Sequence, residues 1–175
     1  MISLYSNDKF LSNVIVDLII QINPNFISHN SALCFASIKV EQSQDHICLL
    51  YDKKKNYVKI PFNISEFFET IFQLVVDEVV YINNFKFFPF KQVVSYQDQK
   101  IKLNFISNEI IKNIYLHKKK GILKDTLYSM IWPKDKEILI NKLDTHLTNT
   151  KNLIEENFKI EFKYSSKKGI IGLLD

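Results

Sequence analysis

At 175 residues the chain has room for one or two domains, and its 46% hydrophobic and 24% charged content is that of a globular protein, which excludes a disordered or fibrous chain. The longest apolar run, residues 14–22, contains Asp17 and is far too short to span a bilayer; no basic start leads into an apolar core and a cleavage site, so no signal peptide is expected and a cytoplasmic protein is. The net charge of +4 comes entirely from lysine, and it is uneven: residues 1–80 hold six Lys against nine acids, net −3, and residues 81–175 hold 17 Lys against ten acids, net +7, an asymmetry that points to a polyanionic partner for the second half.

Residues 2–5 form a predicted short strand. Phe10, Leu11, Val14, Ile15, Leu18 and Ile22 then give an apolar face to a helix from about Asp8 to Ile22, which Asn23-Pro24-Asn25 stops. Phe26 to Ser28 is a predicted strand, and residues 31–41 fit helix and strand alike. His46 to Tyr51 and Tyr57 to Ile60 are apolar strands separated by Asp52-Lys53-Lys54-Lys55-Asn56. A parallel neighbour needs a crossover of roughly a dozen residues or more, so these two strands predict an antiparallel hairpin. Ile60-Pro61 leaves a cis bond open, although most X-Pro bonds are trans. Ile64 to Val79 predicts a helix apolar on more than one side. Such a helix must be buried on most sides, and about 80 residues offer few layers to do it, so a homodimer joined by the N-terminal half is expected. Cys34 and Cys48 fit no metal spacing and no disulfide framework, which leaves buried thiols in a reducing compartment.

Phe85 to Leu103 form predicted strands with a turn at Gln97-Asp98-Gln99. Asn104 N-caps a helix to about Leu116, which Lys118-Lys119-Lys120-Gly121 ends. A short helix from Asp125 to Trp132 follows, then a loop opened by Pro133, then a long helix. In that helix Ile140, Leu143, Leu147, Thr150 and Ile154 recur at spacings of three and four and share one face. At about 100° per residue, Lys142, Thr145, Asn149 and Asn152 fall on the other face. Ile160 to Tyr164 and Ile170 to Leu174 predict a terminal hairpin with Ser165 to Gly169 as its tip.

Enzyme chemistry finds little support. There is no phosphate-cradling glycine loop, no nucleophile elbow and no His-Glu-x-x-His, and His29, His46, His117 and His146 are scattered. No catalytic centre, cofactor or metal site is expected.

From Ile82-Asn83-Asn84-Phe85-Lys86-Phe87-Phe88-Pro89, through Leu127 to Trp132, to Leu143-Asp144-Thr145-His146-Leu147, the second half resembles the C-terminal effector of OmpR-type response regulators. The resemblance covers roughly residues 82–175 and implies an α+β winged helix-turn-helix domain. It departs from the family at two places. The Arg-x-Arg that usually follows the Thr-His-Ile core is Asn149 and Lys151, and the wing ends Lys168-Gly169-Ile170 in place of Gly-Gly-Tyr. The first half resembles a shortened, degenerate α/β receiver domain, with Lys59-Ile60-Pro61-Phe62 like the family's Lys-Pro-Phe close. The receiver's acidic pair is reduced to Asn7-Asp8, and only six residues separate Asp52 from Lys59. A carboxylate beside three lysines is the composition of a solvated turn, so Asp52 is not expected to accept phosphate.

Two domains follow, residues 1–80 and 81–175, in a cytoplasmic, phosphorylation-independent transcription regulator that binds double-stranded DNA as a homodimer. Lys142, Thr145, Asn149 and Asn152 are expected to face bases, with Asn suited to adenine and A·T-containing sites. Lys151, Lys163, Lys167 and Lys168 are expected on phosphates. The alternative is a protein-interaction or scaffold module whose winged helix no longer binds DNA.

Overall fold

The computed structural model describes residues 1–22, 26–27 and 33–174. The expected stop at Asn23-Pro24-Asn25, together with Ser28, His29 and residues 31–32, lies outside them. The chain divides into two compact units, Met1–Glu78 and Val79–Asp175.

The first unit runs β1 (Ile2–Tyr5), α1 (Lys9–Ile22), β2 (Ala36–Gln42), β3 (His46–Tyr51), β4 (Lys54–Lys59) and α2 (Ile64–Val75). The ambiguity over residues 31–41 resolves as strand across β2, where Ala36, Ile38 and Val40 are buried at period two. The four strands lie in sequence order, with β1 and β2 parallel and the rest antiparallel. The expected β3–β4 hairpin is present, but its turn is only Asp52-Lys53, and Lys54, Lys55 and Asn56, expected in the turn, belong to β4. Ile27 makes a parallel bridge to Ile2 on the other flank of β1. Only residues 43–45 separate β2 from β3, too few for a parallel crossover, and the chain turns back as a meander, unlike the all-parallel order of a receiver sheet. Asp52 occupies the two-residue β3–β4 turn, exposed, at φ 52°, and Asp8 accepts from the Phe10 and Leu11 amides at 2.9 and 3.2 Å as the cap of α1. The Ile60–Pro61 bond is cis.

α1 buries Ile15, Val16 and Ile19, whereas Phe10 is 78% and Val14 39% exposed. Phe10 precedes Ile19 by nine residues, about 180° around a helix, so the expected six-residue face is too wide by one side. α2 is capped by Asn63, which accepts from the Ser65 amide at 2.8 Å, and it ends at Val75, short of Val79. Phe67, Ile71, Leu74 and Val75 are buried, and Ile64, Phe68, Phe72 and Val76 are partly covered. The helix itself thus presents no uncovered apolar stripe.

The second unit opens with an antiparallel sheet of β5 (Val80–Ile82), β6 (Phe85–Phe88), β7 (Val93–Tyr96) and β8 (Gln99–Lys102). Three helices follow, α3 (Phe105–Leu116), α4 (Lys124–Ile131) and α5 (Ile140–Phe158), with β9 (Ile122–Leu123) between the first two. The chain closes on β10 (Tyr164–Lys167) and β11 (Ile170–Leu173), and β11 pairs with both β10 and β9. Asn104 caps α3 by accepting from the Ser107 amide at 2.8 Å. α3 is buried so fully that its Glu109–Lys112 pair, 2.6 Å apart, is almost shut from solvent. Ile110, Ile114, Leu127, Tyr128, Ile131, Leu143, Leu147 and Ile171 form one cluster joining the three helices to β11. This is a winged helix-turn-helix arrangement. Residues 160–163 are not strand, contrary to expectation. Phe162 is instead buried against Phe85, ring centroids 5.6 Å apart, and its amide donates to Glu155 at 3.0 Å.

Candidate functional site

α5 is held by its apolar stripe. Leu143, Leu147, Thr150, Ile154 and Phe158 are buried, and the Thr150 hydroxyl lies 2.7 Å from the His146 carbonyl oxygen and 2.9 Å from Ser107 Oγ on α3. The opposite side is open. Asn141, Thr145, Thr148, Asn149 and Asn152 are all exposed, and at 100° per residue they share one face of about 100°. Asn141 and Thr148 are absent from the sequence-derived set, although the same helical spacing places them between its members. The Thr145 hydroxyl donates to the Asn141 carbonyl at 2.8 Å, so a ligand meets chiefly its methyl group and oxygen lone pairs.

The wing is pinned to the start of α4 and to β9. The Lys124 amide at the start of α4 donates to the Gly169 carbonyl at 2.8 Å. Gly121, at φ 73°, lets β9 approach β11; a Cβ there would sit 2.5 Å from Ile170 Cγ2 and 3.0 Å from the Ile171 carbonyl oxygen. The hairpin tip is the pair Lys168-Gly169, at φ 52° and 75°, the doubly left-handed backbone that a type I′ turn requires. Lys167 and Lys168 are exposed there.

The other lysines named from sequence are placed differently. Lys142 does not project freely from α5. Its Nζ lies 2.9 Å from Asp135 Oδ2 and 4.3 Å from the centroid of the Trp132 ring. Asp135 also accepts from the Tyr128 hydroxyl at 2.5 Å. The Tyr128 hydrogen bond and then the Lys142 ammonium hold the Asp135 carboxyl below its ordinary range, and the bond to Asp135 raises Lys142 above its own. Lys151 pairs with Glu155 at 3.7 Å, and Lys124, at the start of α4, pairs with Asp144 at 2.6 Å. Lys163 sits at the base of the wing, a full strand of roughly 13 Å from the tip, in a cleft of about 670 Å³ with Tyr115, Lys118 and Lys119. His146 is half-buried with its ring 5.4 Å from that of Trp132, a packing position. Asn149, the first of the two family arginine positions, is exposed beside Asn152.

Among the described residues no group of three or more His, Cys, Asp or Glu could hold a metal, and no helix is long and apolar enough to cross a membrane. No family model and no curated protein matches the chain. Among solved structures the chain is similar to the DNA-binding domain of E. coli CadC, at 13% identity and TM-score 0.48, over 55% of this chain and 91% of that one.

Proposed function

We propose that this protein binds duplex DNA through the outer face of α5 and the tip of the β10–β11 hairpin, and that it regulates transcription without catalysis and without phosphorylation of Asp52. The observation that carries the reading is the division of α5. One side is fixed in a core, and the other presents Asn and Thr alone across three turns, while the wing tip of the same unit bears two exposed lysines. Asn offers the paired donor and acceptor that match adenine in the major groove, and the Thr methyl matches that of thymine. The basic second unit suits a polyanion.

The test is fluorescence anisotropy on the full chain with labelled duplexes at several salt concentrations. Binding should weaken steeply with salt, and Lys167→Ala with Lys168→Ala should flatten log K against log salt by roughly 0.9 for each phosphate no longer neutralised. Asn149→Ala should cost about 1–3 kcal/mol on a preferred site and little on random duplex. Affinity independent of salt, or indifference to all three substitutions, would remove this reading.

One observation favours the alternative of a protein-interaction module. Met130, Ile138 and Leu139, on α4 and the loop before α5, are 40–51% exposed, and exposed apolar residues close together mark surfaces that meet other proteins. They flank α5 and do not cover its outer face. We therefore place any protein partner at that loop and the nucleic acid on the helix.

A further inference from the structure

Building on the DNA-binding reading, we infer that Asp135 is a positioning residue that withholds the Lys142 ammonium from the groove, so that α5 reads A·T pairs with a neutral surface. Lys142 stands on the flank of the outer face, one residue after Asn141, where a lysine side chain is long enough to reach a base edge or a phosphate. It is turned away by three groups. Asp135 Oδ2 takes its ammonium at 2.9 Å, the Trp132 ring lies under it at 4.3 Å and the Tyr128 ring at 5.7 Å. Asp135 is itself fixed, its backbone amide donating to the Trp132 carbonyl at 3.2 Å and its Oδ2 accepting from Tyr128. Two other lysines on or paired to α5, Lys151 and Lys124, are also engaged, with Glu155 and Asp144.

The chemical consequence is selective. Guanine shows two acceptors in the major groove, N7 and O6, and is read by a cationic donor. With Lys142 held back, the helix brings amides and hydroxyls only, which suit adenine and the thymine methyl. The phosphate attraction is then left to lysines outside α5, Lys167 and Lys168 at the wing tip and Lys134 and Lys136 in the loop before the helix, all exposed.

The experiment compares wild type, Asp135→Asn, Lys142→Met and the double variant on an A·T-rich and a G·C-rich duplex across a salt series. Asp135→Asn should bind the G·C-rich duplex about fivefold or more tightly than wild type and steepen the salt slope by roughly 0.9. Lys142→Met alone should leave both affinities and the slope within error, and adding it to Asp135→Asn should restore wild-type behaviour. Flattening of the slope by Lys142→Met would show that the lysine already touches DNA and would overturn the inference. So would an Asp135→Asn protein, folded by circular dichroism, that behaves as wild type. Should Asp135→Asn fail to fold, the Lys142→Met slope decides alone. A wild type that binds no duplex defeats the DNA reading itself, an outcome distinct from all of these.

Discussion

Thr150 shows how one hydroxyl can serve a packing stripe. It is 1% exposed among Leu143, Leu147 and Ile154, and its Oγ1 joins α5 to Ser107 of α3. Thr150→Val keeps the shape and removes that oxygen, so the Ser107 hydroxyl is left without its partner in a buried place. The expected cost is about 1–2 kcal/mol, a fall in melting temperature of roughly 4–8 °C per kcal/mol for a domain of this size; Thr150→Ser should recover most of it, measured by thermal melts of the full chain. Thr150 is legible in the sequence as a stripe position because burial follows spacing. Its partner is not, since Ser107 lies 43 residues away. Lys142 illustrates the opposite failure. Helical spacing gives the direction in which its Cβ leaves the helix, but a four-carbon stem then goes where a carboxylate and an indole face draw it, and Asp135 and Trp132 arrive from the preceding loop.

Helices and strands with strong periodicity are legible in the sequence, and turns set the errors. α3 and α5 lie where apolar spacing and the Asn104 cap place them, whereas β4 begins at Lys54, three residues before the expected Tyr57. The last hairpin is displaced because Ile160, Phe162 and Tyr164 alternate like a strand, yet Phe162 is drawn into packing against Phe85 and strand pairing begins only at Tyr164. That displacement leaves Lys163, expected within the strand, just before β10 at the base of the wing. Similarly, α1 invites too wide a face because Phe10 is apolar yet stands outside. The wing's attachment to the helices rests on Gly121, where a methyl group would meet both Ile170 and a backbone oxygen in a left-handed conformation. Gly121→Ala should therefore destabilise the second unit by about 2–4 kcal/mol through strain and overlap together, seen as a lower urea midpoint. Gly169→Ala meets nothing within 4 Å and should show the smaller cost of the backbone alone, about 1–2 kcal/mol.

At the scale of the whole chain, the two units carry opposite charge, −3 and +7. The sequence points to a homodimer through α2. With α2 covered, the same expectation now rests on Phe10 and Val14, exposed one turn apart on α1. Light scattering should give twice the 20.7 kDa chain mass, and Phe10→Glu should return the protein to a single chain without loss of helicity. A monomer at tens of micromolar in the wild type would end the idea, and so would a dimer untouched by Phe10→Glu.

The neutral face of α5 bears on search as well as on recognition. A genome offers a regulator roughly 10⁶–10⁹ wrong sites for each right one, and uncompensated cations hold a protein on all of them alike. On the proposed reading, a helix that presents Asn and Thr while Lys142, Lys124 and Lys151 remain paired lets non-target duplex go quickly. Its dwell time on random sequence is then set by a few lysines off the helix, among them the two at the tip of the β10–β11 hairpin, and only a matching groove lengthens it.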